Sequence, residues 1–215
     1  MDDNIHLRLP THASGPTPES AGMAVILIHG RTQGPADMFA IAERIDLADV
    51  PCIAIEAAGN SWYPDKFMAP LENNQPHLNF ALERLETLVV ELEGRGIPRE
   101  RIILLGFSQG ACLACEYLYR HPRRWGGLIA FTGGLIGPPE TQWPVQGDEL
   151  TDVPVLISNG ATDPWVPLSR SRETADVFRL MGARVTEHVC PPREHGVIDD
   201  EIVQARALLR PWQAV

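Results

Sequence analysis

The fold of this 215-residue chain is decided by the stretch Ile102-Ile-Leu-Leu-Gly-Phe-Ser-Gln-Gly110. An apolar run ends at Gly106, and a helical pattern begins directly after the stretch. The pattern G-x-S-x-G between a strand and a helix is typical of a sharp turn with a strained backbone at its tip. The glycines two positions before and after Ser108 leave room for such a turn. We therefore predict that Ser108 is presented at the end of a strand as a nucleophile.

The remainder of the chain alternates short apolar runs with amphipathic patterns of helical period. Because these runs are apolar throughout, they indicate strands that are buried on both faces. The fold class is therefore α/β, with a mostly parallel central sheet covered by helices on both sides. The connecting segment 132–153 is too short for a large cap domain. Further strands are predicted at 23–29, 52–55, 127–131, 154–158 and 184–189, and helices at 35–45, 77–93, 169–181 and 198–209.

Residues 1–215 are expected to form one domain, since α/β domains of this length commonly do not divide. Within residues 1–20, the alternating run from Ile5 to Leu9 predicts an edge strand, followed by a linker rich in proline and serine. The segment 56–76 is a long loop, and loops of this length are often functional.

Composition and charge exclude several classes of function. The net charge of −10 argues against a surface for nucleic acid or an anionic membrane. There is no apolar run long enough to span a membrane and no signal-peptide pattern, so we expect a cytoplasmic protein without stable membrane insertion. Four cysteines are too few for a disulfide framework. No metal-ligand motif is present, so neither a metal nor a cofactor is expected. The oligomeric state stays open, with a homodimer as one alternative.

A serine hydroxyl needs a base within hydrogen-bond reach, and His195 is the best candidate among seven histidines. It alone lies in a loop after the last predicted strand. The base in turn needs an acid that fixes its tautomer. Asp163 follows another predicted strand and gives the chain order Ser, Asp, His of this type of fold. Asp199 and Asp200 are rivals by proximity, but they begin a helix, where acids meet the helix dipole favourably.

The oxyanion of a tetrahedral intermediate needs two donors. One backbone N–H comes from the residue after the nucleophile, which is Gln109, and the other from an early loop after a strand, where Arg31 lies. His29 precedes Arg31, and we interpret it as a residue that shapes the loop through local hydrogen bonds rather than as a base.

With these residues in place, the chain resembles the phospholipase/carboxylesterase family of α/β-hydrolases, which includes the acyl-protein thioesterases. The resemblance rests on the apolar strand into His29-Gly30, Trp62, Gly106-Phe-Ser-Gln-Gly110, Asp163-Pro-Trp-Val-Pro167 and His195-Gly196. It implies the α/β-hydrolase fold and hydrolysis of carboxylic esters or thioesters of small molecules. It also implies that Ser108, Asp163 and His195 act as nucleophile, orienting acid and base. Aromatic side chains at 62, 67 and 165 (Trp62, Phe67 and Trp165) are expected to line an open cleft for the acyl substrate.

The chain departs from the family pattern at two places. The loop after the first catalytic strand often reads His-Gly-x-Gly-Asp in the family, whereas this chain has His29-Gly-Arg-Thr-Gln33. Before the base the family usually has a glycine-rich turn, whereas this chain has Arg193-Glu194.

Two alternatives to a serine esterase remain at this point. Dienelactone-hydrolase-like enzymes, which cleave cyclic esters, resemble this chain in fold but use a cysteine where Ser108 stands. A binding scaffold that kept the fold and lost the chemistry is the other alternative, and the intact set of serine, aspartate and histidine argues against it.

Overall fold

The computed structural model describes residues 3–145 and 147–213. Its sheet has seven strands in the order β1-β3-β2-β4-β5-β6-β7. Strand β1 runs antiparallel to β3, and all other neighbours are parallel, which confirms the predicted fold class. The strands are β1 Thr11–Ser14, β2 Ala24–Ile28, β3 Cys52–Ile55, β4 Ile102–Phe107, β5 Gly127–Phe131, β6 Pro154–Gly160 and β7 Arg184–Cys190. The helices are α1 Pro18–Ala21, α2 Pro35–Ile45, α3 His77–Gly94, α4 Gln109–Arg120, α5 Leu168–Leu180 and α6 Asp199–Gln213.

Strand β4, which leads to Ser108, lies at the centre of the sheet between β2 and β5. Its side chains alternate between two apolar cores. Ile102 and Leu104 face the core formed with α3, α4 and α5. Ile103 and Leu105 face the core formed with α2 and α6. Burial on both faces explains why the sequence of this strand is a continuous apolar run rather than an alternating one.

The predicted edge strand over Ile5–Leu9 is wrong. These residues form turns, and the antiparallel edge strand is Thr11–Ser14. The alternation in the sequence does have a counterpart, but with reversed polarity: Ile5 and Leu7 are exposed, whereas His6 is fully buried. The ring of His6 accepts a hydrogen bond from the N–H of Ala58 at 3.0 Å and thereby fastens the arm to the body. A pattern of period two therefore reflected the anchoring of a turn through His6 and not a strand.

The close approach of α4 to the sheet explains why glycine is required at the turn. A Cβ atom on Gly110 would lie 2.1 Å from the carbonyl oxygen of Ile28, and one on Gly106 would lie 2.5 Å from that of Gly110. Both contacts are to backbone, which cannot move aside without displacing β2 or the helix. The two glycines of the motif thus allow α4 to begin directly against the central strands.

Three further observations concern the segment after β5, the cysteines and the hydropathy of the helices. Among the described residues of 132–153 there is neither a strand nor a helix, so a large cap domain is absent from that part of the chain. All four cysteines are buried and free. No helix in the described part of the chain combines the length and hydropathy needed to span a membrane.

Replacing Gly110 by alanine should destabilise the fold by about 3 kcal/mol or more, since the new methyl group would overlap the backbone of β2. Gly94→Ala is a matched control, because a Cβ atom there meets nothing within 4 Å. Urea titrations of both variants measure the free energy of unfolding. Equal midpoints for the two variants would contradict the steric argument.

Candidate active site

Ser108 occupies the strained turn between β4 and α4. Its backbone has φ 53° and ψ −119°, a conformation that residues other than glycine rarely adopt. The N–H of Ser108 donates to the carbonyl of Phe131 at 3.0 Å, and its own carbonyl accepts from the N–H of Cys112 at 2.9 Å. The turn is therefore held to β5 on one side and to α4 on the other, and the hydroxyl projects from the carboxyl edge of the sheet.

The imidazole of His195 lies between Ser108 and Asp163. Its Nε2 atom is 2.8 Å from Oγ of Ser108, and its Nδ1 atom is 2.8 Å from Oδ2 of Asp163. A carboxylate only accepts hydrogen bonds, so Nδ1 carries the proton, and Nε2 of the neutral ring accepts from the serine hydroxyl. The ring of Phe107 packs beside the imidazole with a centroid distance of 5.1 Å. This arrangement can remove a proton from Ser108 and stabilise the imidazolium that results.

Asp163 is held by its own loop. Its side chain is fully buried, and its Oδ1 atom accepts hydrogen bonds from the N–H groups of Trp165 and Val166, each at 2.9 Å. Burial alone would raise the pKa of this carboxyl. The hydrogen bonds from His195, Val166 and Trp165 outweigh burial and hold the pKa below its ordinary value. Asp163 is therefore a carboxylate when it bonds His195.

The rival acid Asp199 has a different environment. Its side chain is 95% exposed and forms a salt bridge of 2.8 Å with Arg44. Asp199 and Asp200 both lie in the first turn of α6, as their proposed interaction with the helix dipole requires.

The two predicted oxyanion donors, Gln109 and Arg31, line the same cleft as Ser108. Gln109 is the first residue of α4, so its N–H belongs to the groups that a helix leaves without an intrahelical acceptor. Arg31 lies in the turn after β2, which is closed by a hydrogen bond of 3.2 Å from the N–H of Gln33 to the carbonyl of Gly30. The side chain of Gln33 also accepts from the N–H of Gly30 at 3.0 Å, which fixes the turn further.

The side chain of Arg31 has a structural task that the sequence did not reveal. Its guanidinium donates to the carbonyl oxygens of Tyr63, Pro64 and Asp65 at 2.9, 2.7 and 2.6 Å. The sequence carried no signal for this task, because Arg31 stands at the variable position of the family pattern His-Gly-x-Gly-Asp. Arg31 thus fastens the long loop 56–76 beside the serine.

The side chain of Gln109 fastens the same loop from the other side. Its Oε1 atom accepts from the N–H of Trp62 at 2.9 Å, and its Nε2 atom donates to the carbonyl of Tyr63 at 2.8 Å. Both predicted donor residues therefore also hold the wall of the cleft. The second role could not be predicted from the sequence, because any residue type can supply the backbone carbonyl that accepts such a hydrogen bond.

The cleft over Ser108 has a volume of about 670 Å³. Phe67 and Trp165 line it. Trp62 does not, and this expectation is corrected: its side chain is fully buried, and its indole N–H donates to the carbonyl of His29 at 2.8 Å. An aromatic residue in a long loop served here as the anchor of that loop.

His29 shapes the loop after β2 through local hydrogen bonds, as expected from the sequence. Its Nε2 atom accepts from the N–H of Ala57 at 3.1 Å, and its Nδ1 atom bonds the carbonyl of Gly30 at 2.7 Å. Burial lowers the pKa of His29, which favours the neutral ring that this pair of bonds requires. Among the described residues, no group of three or more histidine, cysteine or acidic side chains could hold a metal ion.

Comparison with known proteins identifies the family of the chain. The family model described as Phospholipase/Carboxylesterase matches residues 18–213. The chain belongs to the phospholipase/carboxylesterase family. A crystal structure of a phospholipase/carboxylesterase from Dyadobacter fermentans is 42% identical and superposes with a TM-score of 0.87, covering 93% of this chain and 95% of that one. The family resemblance predicted from the sequence is thereby confirmed.

Other comparisons show how far the likeness extends. Acyl-protein thioesterase 1 of Eremothecium gossypii is 37% identical over 93 residues, which are 42% of this chain and 38% of that protein. Its counterpart in Debaryomyces hansenii is 26% identical over 57% of this chain and 53% of its own length. The chain thus matches about half, or less, of the length of these curated relatives. The carboxylesterase of Bacillus cereus is 18% identical with a TM-score of 0.77, over 98% of this chain and 99% of that one, and shows the fold alone.

The lowered pKa of Asp163 predicts how acid affects the fold. A carboxylate whose pKa is lower in the folded state stabilises the fold above its unfolded pKa, and this stabilisation is lost as the pH falls through the folded value. The free energy of unfolding should therefore fall more steeply for the natural protein than for Asp163→Asn below about pH 4. Urea titrations at a series of pH values measure both slopes; parallel slopes would contradict the prediction.

Proposed function

We propose that the chain is a serine hydrolase that cleaves carboxylic esters or thioesters through an acyl-enzyme. One observation carries the proposal: Ser108, His195 and Asp163 are joined by two successive hydrogen bonds of 2.8 Å at the floor of an open cleft. Membership of the phospholipase/carboxylesterase family and the likeness to the D. fermentans structure support it independently.

The geometry suits each step of this reaction. Oγ of Ser108 attacks the acyl carbon while Nε2 of His195 takes the hydroxyl proton. The negative charge that develops on the acyl oxygen is stabilised by the backbone N–H groups of Gln109 and Arg31. His195 then gives its proton to the leaving alcohol or thiol as the bond to the acyl carbon breaks. Water attacks the acyl-serine by the same route, with His195 as base, and releases the acid and the free serine.

The walls of the cleft suggest which groups contact the substrate. Phe67 is buried and its backbone carbonyl is held by the N–H of Gly137 at 2.8 Å, so it forms a fixed apolar wall. Trp165 is 65% exposed and lies in the loop of Asp163, so it forms the mouth of the cleft. A short acyl group would contact Phe67 alone, and a longer one would extend along Trp165 toward solvent.

The alternatives gain no comparable support. A serine stands at the turn where dienelactone-hydrolase-like enzymes use a cysteine, and the described cysteines are buried. A binding scaffold without catalytic activity would need neither the two hydrogen bonds that join Ser108, His195 and Asp163 nor a strained backbone at Ser108. The single-domain organisation, the cytoplasmic location and the homodimer stay predictions, and size-exclusion chromatography tests the last of them.

Ser108→Ala should reduce turnover of a short-chain nitrophenyl ester by about a million-fold, to background, because the attacking oxygen is gone. Ser169→Ala is the matched control, since that serine is exposed on α5 outside the cleft. A fluorophosphonate probe should label the natural protein and the control but not Ser108→Ala. Labelling or turnover that persists without the serine hydroxyl would exclude the proposal, as would a natural protein that stays unlabelled.

Trp165→Ala should raise KM several-fold for a long-chain acyl ester and leave KM for an acetyl ester nearly unchanged, because only the longer chain reaches the mouth. Leu180→Ala serves as control, since it removes an equally exposed apolar side chain on α5 away from the cleft. Steady-state kinetics over a graded ester series measure the effect. A uniform change across all chain lengths would place Trp165 outside the acyl path.

A further inference from the structure

The loop that carries His195 is anchored by a buried arginine two residues earlier. The side chain of Arg193 is 7% exposed. One terminal nitrogen donates to Oγ1 of Thr132 at 2.9 Å and to Oε1 of Glu201 at 2.8 Å, and the other donates to the carbonyl of Glu194 at 2.9 Å. The guanidinium thus bonds its own loop, the end of β5 and the first turn of α6 at the same time.

Glu201 is the centre of this network. Its side chain is fully buried, and besides Arg193 it accepts hydrogen bonds from the hydroxyl of Ser158 at 2.6 Å and from the N–H of Ile198 at 2.9 Å. Ser158 lies in β6, and Ile198 lies between His195 and α6. The carboxylate therefore joins the sheet to both ends of the segment that carries the histidine.

The network meets the nucleophile at one point of the backbone. The carbonyl of Phe131 accepts the N–H of Ser108, and the next residue, Thr132, accepts the hydrogen bond of Arg193. Ser108 and the loop of His195 are thus held to adjacent residues at the end of β5. The distance between base and nucleophile depends on this shared anchor.

Stability alone does not account for the arrangement. A buried ion pair often contributes no more than apolar side chains of similar volume would. The Nε atom of Arg193 is buried without a hydrogen-bond partner among the described residues, and Thr132 has a φ of 55°. Each of these features costs free energy, and such costs concentrate where a fixed geometry serves function.

We propose that the buried pair of Arg193 and Glu201 positions His195 against Ser108, so that both are positioning residues for the reaction. The inference rests on the proposed function. Neither side chain contacts the cleft, so substrate binding should not depend on them. Their loss should lower kcat and leave KM unchanged, because a base displaced by about 1 Å can cost about 100-fold in rate.

The test is the double variant Arg193→Met/Glu201→Gln, which removes both charges together and leaves neither buried alone. We expect kcat for the nitrophenyl ester to fall about 10- to 100-fold with KM within about twofold of the natural value. Asp199→Asn is the matched control, since it neutralises an exposed acid two residues from Glu201 and should keep the natural kcat. A folded double variant with natural kcat would overturn the proposal, and so would an equal loss in the control.

Arg193→Lys decides the question if the double variant does not fold. Lysine keeps the charge opposite Glu201 but lacks the planar fork that reaches Thr132 and the carbonyl of Glu194 together. We expect a partial loss of kcat at natural KM. A folded Arg193→Lys protein with natural kcat would overturn the positioning role.

A second measurement separates this proposal from the proposed function. The proton on Nδ1 of His195, bonded to Asp163, should give a downfield resonance in the proton NMR spectrum of the natural protein and of Asp199→Asn. The resonance should shift or broaden in the Arg193 variants if the imidazole loses its position, whether or not any ester is turned over. An unchanged resonance in folded variants would overturn the inference, whereas failure of the Ser108→Ala test would overturn the proposed function.

Discussion

The structure depends on one steric constraint, the contact between the start of α4 and the carboxyl end of β2. A Cβ atom at Gly110 would stand 2.1 Å from the carbonyl of Ile28, so the helix can begin here only with glycine at that position. Because the helix begins so close to the sheet, Ser108 is forced into a left-handed backbone and its hydroxyl is directed away from the core. The strain is balanced by the central position of β4, which is buried on both faces.

The parallel order of the sheet brings the other groups to the same edge. Asp163 follows β6 and His195 follows β7, and the carboxyl ends of parallel strands lie side by side. Each group then needs its own local support, and the two loops differ in this respect. The loop of Asp163 is closed by the carboxylate itself through two backbone N–H groups. The loop of His195 is anchored to α6 by an ion pair between its own Arg193 and Glu201.

These differences explain how much could be predicted from the sequence. The buried strands and helices were predicted to within one or two residues in most cases, because period and apolar runs report burial directly. The turn residues 106 and 110 were found because only glycine fits there. The arm around His6 was misjudged because a buried polar side chain looks in sequence like an exposed one. Trp62 was misjudged because an aromatic residue in a long loop can either line a cleft or anchor the loop, and the sequence does not distinguish the two. Arg31 was predicted only as a backbone donor and Arg193 was noticed only as a departure from the family pattern, because the partners of their side chains are backbone atoms or distant side chains.

The two departures from the family pattern turn out to be related in physical terms. In both of these loops the chain has an arginine whose guanidinium group binds at three places. Small residues fix a turn by allowing the backbone to close on itself, whereas an arginine fixes it by donating to carbonyl or hydroxyl oxygens of a neighbouring segment. The loop 56–76 and the loop of His195 are therefore held by cross-links between segments. Arg31, together with Gln109, holds the wall of the cleft beside Ser108, and Arg193 holds the loop that carries the base.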